Sequence, residues 1–128
     1  MSCDAWMGCT VTVHEHEHDE AALEWCEAAM KGEDAEGNLT LFFEWEDAGW
    51  FDGALAKLYD DLESLPVPLD CWSADVRYEF YDEPNSDGCF TEFTIDDGEV
   101  TSCKESRIVM EPCKPFFEFD MKKGVHKC

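Results

Sequence analysis

The chain has 128 residues, 45% of them hydrophobic, with nine Phe, five Trp and three Tyr, which fits one domain with a real core and excludes a disordered acidic tail. Nine Lys and Arg stand against 31 Asp and Glu, a formal net charge of −22. Proteins hold phosphate backbones by neutralising them with Lys and Arg, so this balance excludes direct binding of nucleic acid.

Taken in chain order, Thr10–His18 reads Thr-Val-Thr-Val-His-Glu-His-Glu-His, an alternation that predicts a strand. Val11, Val13, Glu15 and Glu17 fall on one face, and Thr12, His14, His16 and His18 on the other. Asp19 is the expected N-cap of a helix from about Glu20 to Lys31, closed by Gly32 at C′. Its apolar side collects Ala22, Cys26, Ala29 and Met30. Glu20, Glu24, Glu27 and Lys31 repeat on the opposite face. Leu39–Glu46 alternates again, with Leu39, Leu41, Phe43 and Trp45 against Thr40, Phe42, Glu44 and Glu46.

A second helix is expected from about Phe51 to Leu65, where Phe51, Leu55, Leu58, Leu62 and Leu65 form the apolar stripe and Asp60, Asp61 and Ser64 face outward. Pro66 and Pro68 forbid its continuation. Ala74–Asp82 predicts a strand with Val76, Tyr78 and Phe80 opposed to Arg77, Glu79 and Tyr81. A turn at Glu83–Gly88 leads to strands at Cys89–Ile95 and Glu99–Cys103, joined by the tight turn Asp96-Asp97-Gly98. Ser106–Met110 and Phe116–Met121 are candidate short strands limited by Pro112 and Pro115. The expected fold is α+β in the order β-α-β-α-β-β-β: one domain over 1–128, with two helices packed on one face of a largely antiparallel sheet, ferredoxin-like or related.

Charge divides the chain. Residues 1–103 hold 27 acids with Lys31, Lys57 and Arg77 as bases, −24, and residues 104–128 hold four acids and six bases, +2. A strongly acidic body thus precedes a mildly basic, aromatic tail. The N-terminus has neither the basic nor the apolar region of a signal peptide, and no apolar run approaches the roughly 18 residues of a membrane span. A cytoplasmic location and free thiols at the eight cysteines are the expectations. No Cys-x-x-Cys pair occurs.

His14, His16 and His18 are the sharpest local feature. Neighbours two apart on a strand face lie roughly 6.6 Å apart, within reach of one metal ion, whereas His14 and His18 lie about 13 Å apart. A zinc site there would need a further ligand, such as His126 or Cys128. The other readings are an exposed face that softens an acidic surface and a pH-responsive patch. No nucleophile elbow, phosphate-cradling glycine loop, dinucleotide fingerprint or metalloprotease His motif occurs, and Asp82–Gly88 lacks the ladder of a calcium loop. No cofactor and no enzymatic activity are expected.

What remains is collective: Glu15, Glu17, Glu20, Glu24, Glu27, Glu44, Glu46, Asp60 and Asp61 on outward positions of separate elements. Alternate strand residues and successive helical turns set carboxylates about 5–7 Å apart, of the order of phosphate separations along a nucleic-acid strand. Such a surface attracts the basic groove of a nucleic-acid-binding protein. Solubility needs a net charge of only about 2–8 in magnitude. In size, charge and lack of catalytic motifs, residues 1–103 resemble the small acidic phage- or plasmid-encoded inhibitors of host defence, the anti-CRISPR and anti-restriction DNA mimics. Leu39–Gly98, with Phe-Phe-Glu-Trp-Glu-Asp before a helix and two aromatic strands after it, is weakly similar to ferredoxin-like domains of mobile-element proteins. The resemblance implies a non-enzymatic inhibitor, in the host cytoplasm if phage-encoded, whose partner is the basic surface of a nucleic-acid-binding protein or complex, with no membrane and no direct nucleic acid. Two alternatives carry different chemistry: an immunity-type protein that neutralises a basic nuclease toxin, and a metal-binding module on the histidine strand.

Overall fold

Ala5, Met7, Cys9, Val11 and Val13 are all buried, and they alternate along one strand with Trp6, Gly8, Thr10 and Thr12. That two-residue period defines β1 (Asp4–Val13). The computed structural model describes residues 4–26, 30–81, 89–106 and 110–123. The remaining elements are α1 (Asp19–Trp25), β2 (Met30–Glu33), β3 (Leu39–Trp45), α2 (Phe51–Glu63), β4 (Trp72–Tyr81), β5 (Cys89–Asp96), β6 (Glu99–Ser106) and β7 (Glu111–Pro112). Among the described residues the fold is α+β with a seven-stranded sheet in the order β2-β3-β1-β4-β5-β6-β7, every pairing antiparallel. A ferredoxin-like unit has four strands in a β-α-β-β-α-β order; strand number and order here exceed that comparison.

The first expected strand is displaced. β1 starts six residues earlier than Thr10 and ends at Val13, because its neighbours end there: Val13 pairs with Leu39 on one side and Trp72 on the other. The last bond at this end runs from the His14 N–H to the Cys71 carbonyl. Beyond it no strand among the described residues is available, and His16–His18 coil into a 3₁₀ turn. Glu15, Glu17, His14, His16 and His18 therefore do not form two faces of a strand.

α1 is also shorter than expected. Asp19 is its first residue rather than its cap, and its carboxylate meets His16 Nδ1 at 3.2 Å. Met30–Glu33 are strand β2, paired with β3 from Met30↔Phe42 to Glu33↔Leu39. Pairing overrides helix propensity here, so Gly32 is no C-cap, and Met30 is 66% exposed instead of core. Glu27 and Ala29 lie outside the described residues, as do the turn at Glu83–Gly88 and most of the candidate strand Ser106–Met110.

The rest follows the apolar pattern closely. On α2, Ala54, Leu55, Leu58 and Leu62 are buried, and Leu65 and Val67 continue the core past its end. β4 alternates buried Trp72, Ala74, Val76 and Tyr78 with Ser73, Asp75 and Arg77, and β5 buries Thr91, Phe93 and Ile95. The β5–β6 turn holds Asp97 at φ 54° and Gly98 at φ 81°, the left-handed pair that a two-residue hairpin turn requires. Both edge strands are short, and β7 contains Pro112, which limits pairing with other chains. Phe116–Met121 is irregular rather than a strand, joined to the sheet by the Glu99↔Asp120 bridge. No helix among the described residues is long and apolar enough to cross a membrane.

Candidate functional site

The acidic positions fall into three places. At the end of the sheet where β1 stops and β4 starts, Glu15 and Glu17 stand beside Asp70 and Cys71. The thiol of Cys71 is raised by partial desolvation, then by its hydrogen bond to Asp70 and by the charges of Asp70, Glu15 and Glu17. Asp34 lies on the same side of the molecule as His14. Hydrogen bonds from Asn38 hold its carboxyl below the usual range against a desolvation that raises it; the Glu36 N–H and nearby His14 also lower it.

The second place is helical. Glu20 and Glu24 are exposed on α1, and Asp60 and Asp61 on α2. The two helices meet at their C-terminal ends, where Trp25 Nε1 donates to Ser64 Oγ at 2.8 Å and Ser64 Oγ donates to the Asp61 carbonyl at 2.9 Å. Partial burial, and then the neighbouring Asp60 charge, push the Asp61 carboxyl up, while a hydrogen bond with Trp45 opposes the rise.

Glu44 occupies the third. It sits on the sheet face turned away from Leu41 and Phe43, and accepts a hydrogen bond from Trp6 Nε1 at 2.9 Å. Glu46 is exposed in the turn after β3. The nine expected carboxylates thus do not form one continuous ladder: Glu15, Glu17, Glu20 and Glu24 follow one another from the 3₁₀ turn into α1, whereas Glu44 belongs to the other sheet face and Glu27 lies outside the described residues.

The histidines diverge as well. His14 Nε2 is 3.0 Å from Ser73 Oγ, His16 faces Asp19, and His18 Nε2 is 3.6 Å from Glu17. Each thus has its own partner. No group of three or more metal-ligating side chains comes together among the described residues.

Sequence reasoning missed the open sheet face. There Trp6, Gly8, Phe42, Arg77, Glu92 and Lys104 line a shallow concavity of about 440 Å³. The Trp6 indole lies flat over Gly8, so that a Cβ there would come within 2.4 Å of the ring. Arg77 bridges Glu79 at 2.6 Å and Glu92 across the β4–β5 pair, with its guanidinium 5.0 Å from the Phe90 centroid. The same-face positions Arg77 and Glu79 were legible as alternation, but Glu92 needed the register Arg77↔Glu92. Glu79 is raised by burial, yet the hydrogen bonds from Tyr81 and Arg77 outweigh this and hold it below the usual range.

Comparison with family models, with curated proteins and with solved structures gives no match for this chain.

Proposed function

We propose that the protein is a non-enzymatic inhibitor that presents an anionic surface to the nucleic-acid-binding face of a defence protein or complex, acting in the cytoplasm as a DNA mimic of the anti-CRISPR or anti-restriction type. One observation carries this reading: two of the three cations of the acidic body are engaged within it, while several of its outward carboxylates have no basic partner among the described residues. Arg77 is held by Glu79 and Glu92, and Lys57 Nζ is directed at the Asp47 carbonyl, 3.4 Å away. Glu15, Glu20, Glu24, Glu46 and Asp60 make no ion pair with Lys or Arg among the described residues.

Glu20 and Glu24 stand one helical turn apart, about 5–6 Å, and the 3₁₀ turn carrying Glu17 runs straight into that helix. The spacing of Glu20 and Glu24 is of the same order as that of successive phosphates. The finer architecture belongs to the same proposal. Trp25 of α1 meets Phe43 edge-on at 5.5 Å, and Phe51 of α2 meets Tyr78 at 5.0 Å. Both sheet partners belong to the buried face, so the helices cover that face and carry their acids outward.

The experiment is a capture of proteins from bacterial lysate on the immobilised chain, washed at low and then high salt. Retention of a nucleic-acid-binding protein at low salt, released by added duplex DNA, supports the reading, because such binding rests on many screened charge pairs. Retention indifferent to both salt and DNA would sink it. Reversing Glu15, Glu17, Glu20 and Glu24 together should weaken capture far more than any single reversal. One dominant acid would point instead to a conventional hot spot.

A further inference from the structure

Along one side of α2 the chain leaves a groove that the acidic-surface reading does not use. The segment after β7 lies against this helix with its side chains alternating: Phe117 and Phe119 turn inward, while Phe116 and Glu118 turn outward. Phe117 packs on Phe51 at 5.1 Å and on Phe93 at 4.9 Å. Phe119 meets Tyr59 at 5.5 Å. Between helix and segment runs an open cleft of about 930 Å³, at the upper end of the roughly 300–1,000 Å³ of ligand clefts.

Its floor is apolar and aromatic, formed by Phe51, Leu55, Tyr59 and Phe116, and its rim carries Asp52, Asp60, Glu118 and Asp120. Among the described residues no Lys or Arg lines it. Of the lysines nearby in sequence, Lys57 is directed to the Asp47 carbonyl and Lys122 to Asp97 at 2.7 Å, and Lys114, exposed two residues before Phe116, is not among the lining residues. Phe116 is 54% exposed, although its ring already touches Phe51 and Phe117. It is therefore an ordered aromatic edge in water.

We propose that this groove is a docking site for a cationic amphipathic polypeptide segment of a partner protein. Apolar side chains at helical i, i+3 and i+4 spacing would seat on Phe51, Leu55 and Phe116, with Lys or Arg beside them meeting the rim acids. Charge complementarity selects this occupant. An all-apolar segment would desolvate the carboxylates of Asp52, Asp60 and Glu118 without supplying a compensating charge, and a second copy of a chain carrying −22 would be repelled. The inference stands apart from the DNA-mimic reading, since a basic helix can dock here whether or not its owner binds nucleic acid.

The test uses the full-length protein and three fluorescent peptides of about 14 residues: Leu and Lys at helical spacing, the same composition scrambled, and Leu with Glu in place of Lys. Fluorescence anisotropy should show saturable binding of the first alone. Phe116→Ala should weaken it about tenfold as the loss of one anchor, and the double variant Asp52→Asn/Glu118→Gln, which touches no core residue, should weaken it comparably. Glu20→Gln/Glu24→Gln on α1 should leave it within about twofold. Equal binding of the scrambled peptide overturns the proposal, because adhesion would then be general to an acidic surface. An α1 variant as damaging as the groove variants overturns it as well. The lysate capture above involves none of the groove variants, so the two readings can fail separately.

Discussion

The sulfur of Cys113 lies 3.3 Å from that of Cys103, across a backbone hydrogen bond from the Cys113 N–H to the Cys103 carbonyl at 2.9 Å. The two residues extend the β6–β7 ladder by one step beyond Lys104↔Pro112. Burial, and then the neighbouring Cys113 sulfur, push the Cys103 thiol up to about 12.

Oxidation should join this pair before any other described cysteines. With oxidised glutathione, the thiolate of one cysteine attacks and releases reduced glutathione, and the other cysteine displaces the second, leaving a Cys103–Cys113 disulfide. Because the thiolate is the nucleophile and Cys103 is raised, the reaction should be slow at neutral pH and accelerate as pH rises. The link spans ten residues and should stabilise the fold by roughly 2–3 kcal/mol. Peptide mapping without reductant checks the pairing, and linkage of either cysteine to Cys71 or Cys89 instead would refute it.

That pair was invisible in the sequence, since nothing local marks Cys113 as the cross-strand neighbour of Cys103. Where side chains obey one period and one environment, the chain was legible: Leu55, Leu58 and Leu62 announce α2, and Val76 and Tyr78 against Arg77 and Glu79 announce β4. Where an element depends on a partner distant in sequence, it was not. Thr10–His18 alternates perfectly, yet strand β1 stops at Val13 for want of neighbours, and Met30–Glu33 pairs with β3 although its local pattern continues a helix. The candidate site shared that fate. The acids were legible as exposed positions, but which of them lie together depended on the sheet face that Glu44 takes and on the turn that carries Glu15 and Glu17.

Arg77 should act as an electrostatic clamp on β4 and β5. Arg77→Met keeps an apolar stem over Phe90 but leaves Glu79 and Glu92 without their cation. The side chain is 36% exposed, so solvent screening limits the loss to about 1 kcal/mol at low salt. The pH sign follows from Glu79, whose carboxyl sits below its usual value in the folded chain. Its contribution is complete above the unfolded value, roughly 4.3, and fades as pH falls through the folded one. Urea unfolding of both proteins should therefore diverge at pH 7 and converge as the pH falls below the folded value of Glu79. A gap that persists in acid would mean that Arg77 matters through packing.

Gly8 should tolerate a side chain at the expense of Trp6. A Cβ at Gly8 meets Trp6 Cη2 at 2.4 Å and Cζ2 at 2.8 Å, but the indole is a side-chain end on an open sheet face and has room to swing outward. Gly8→Ala should therefore fold, displace the ring and break the Trp6–Glu44 hydrogen bond, a cost of about 1 kcal/mol. Near-ultraviolet circular dichroism and quenching by acrylamide report the ring. Unchanged quenching, compared with Trp6→Phe as the reference lacking that indole, would show that the ring had not moved.

Salt should raise the melting temperature. A chain carrying −22 repels itself when compact, and added ions shorten the range of that repulsion to about 10 Å at 0.1 M. The opposing term is small, because Lys and Arg ion pairs among the described residues reduce to Arg77 with Glu79 and Glu92 and Lys122 with Asp97 and Glu99. These are surface pairs, each worth about 0–1 kcal/mol. A scan from low salt to about 0.3 M should thus show a rise of several degrees. Sodium and tetramethylammonium chlorides should give the same rise, because screening does not distinguish cations. A rise with sodium alone would indicate a specific cation site, and a fall with both would mean that the Arg77 and Lys122 clamps outweigh the repulsion of the remaining carboxylates.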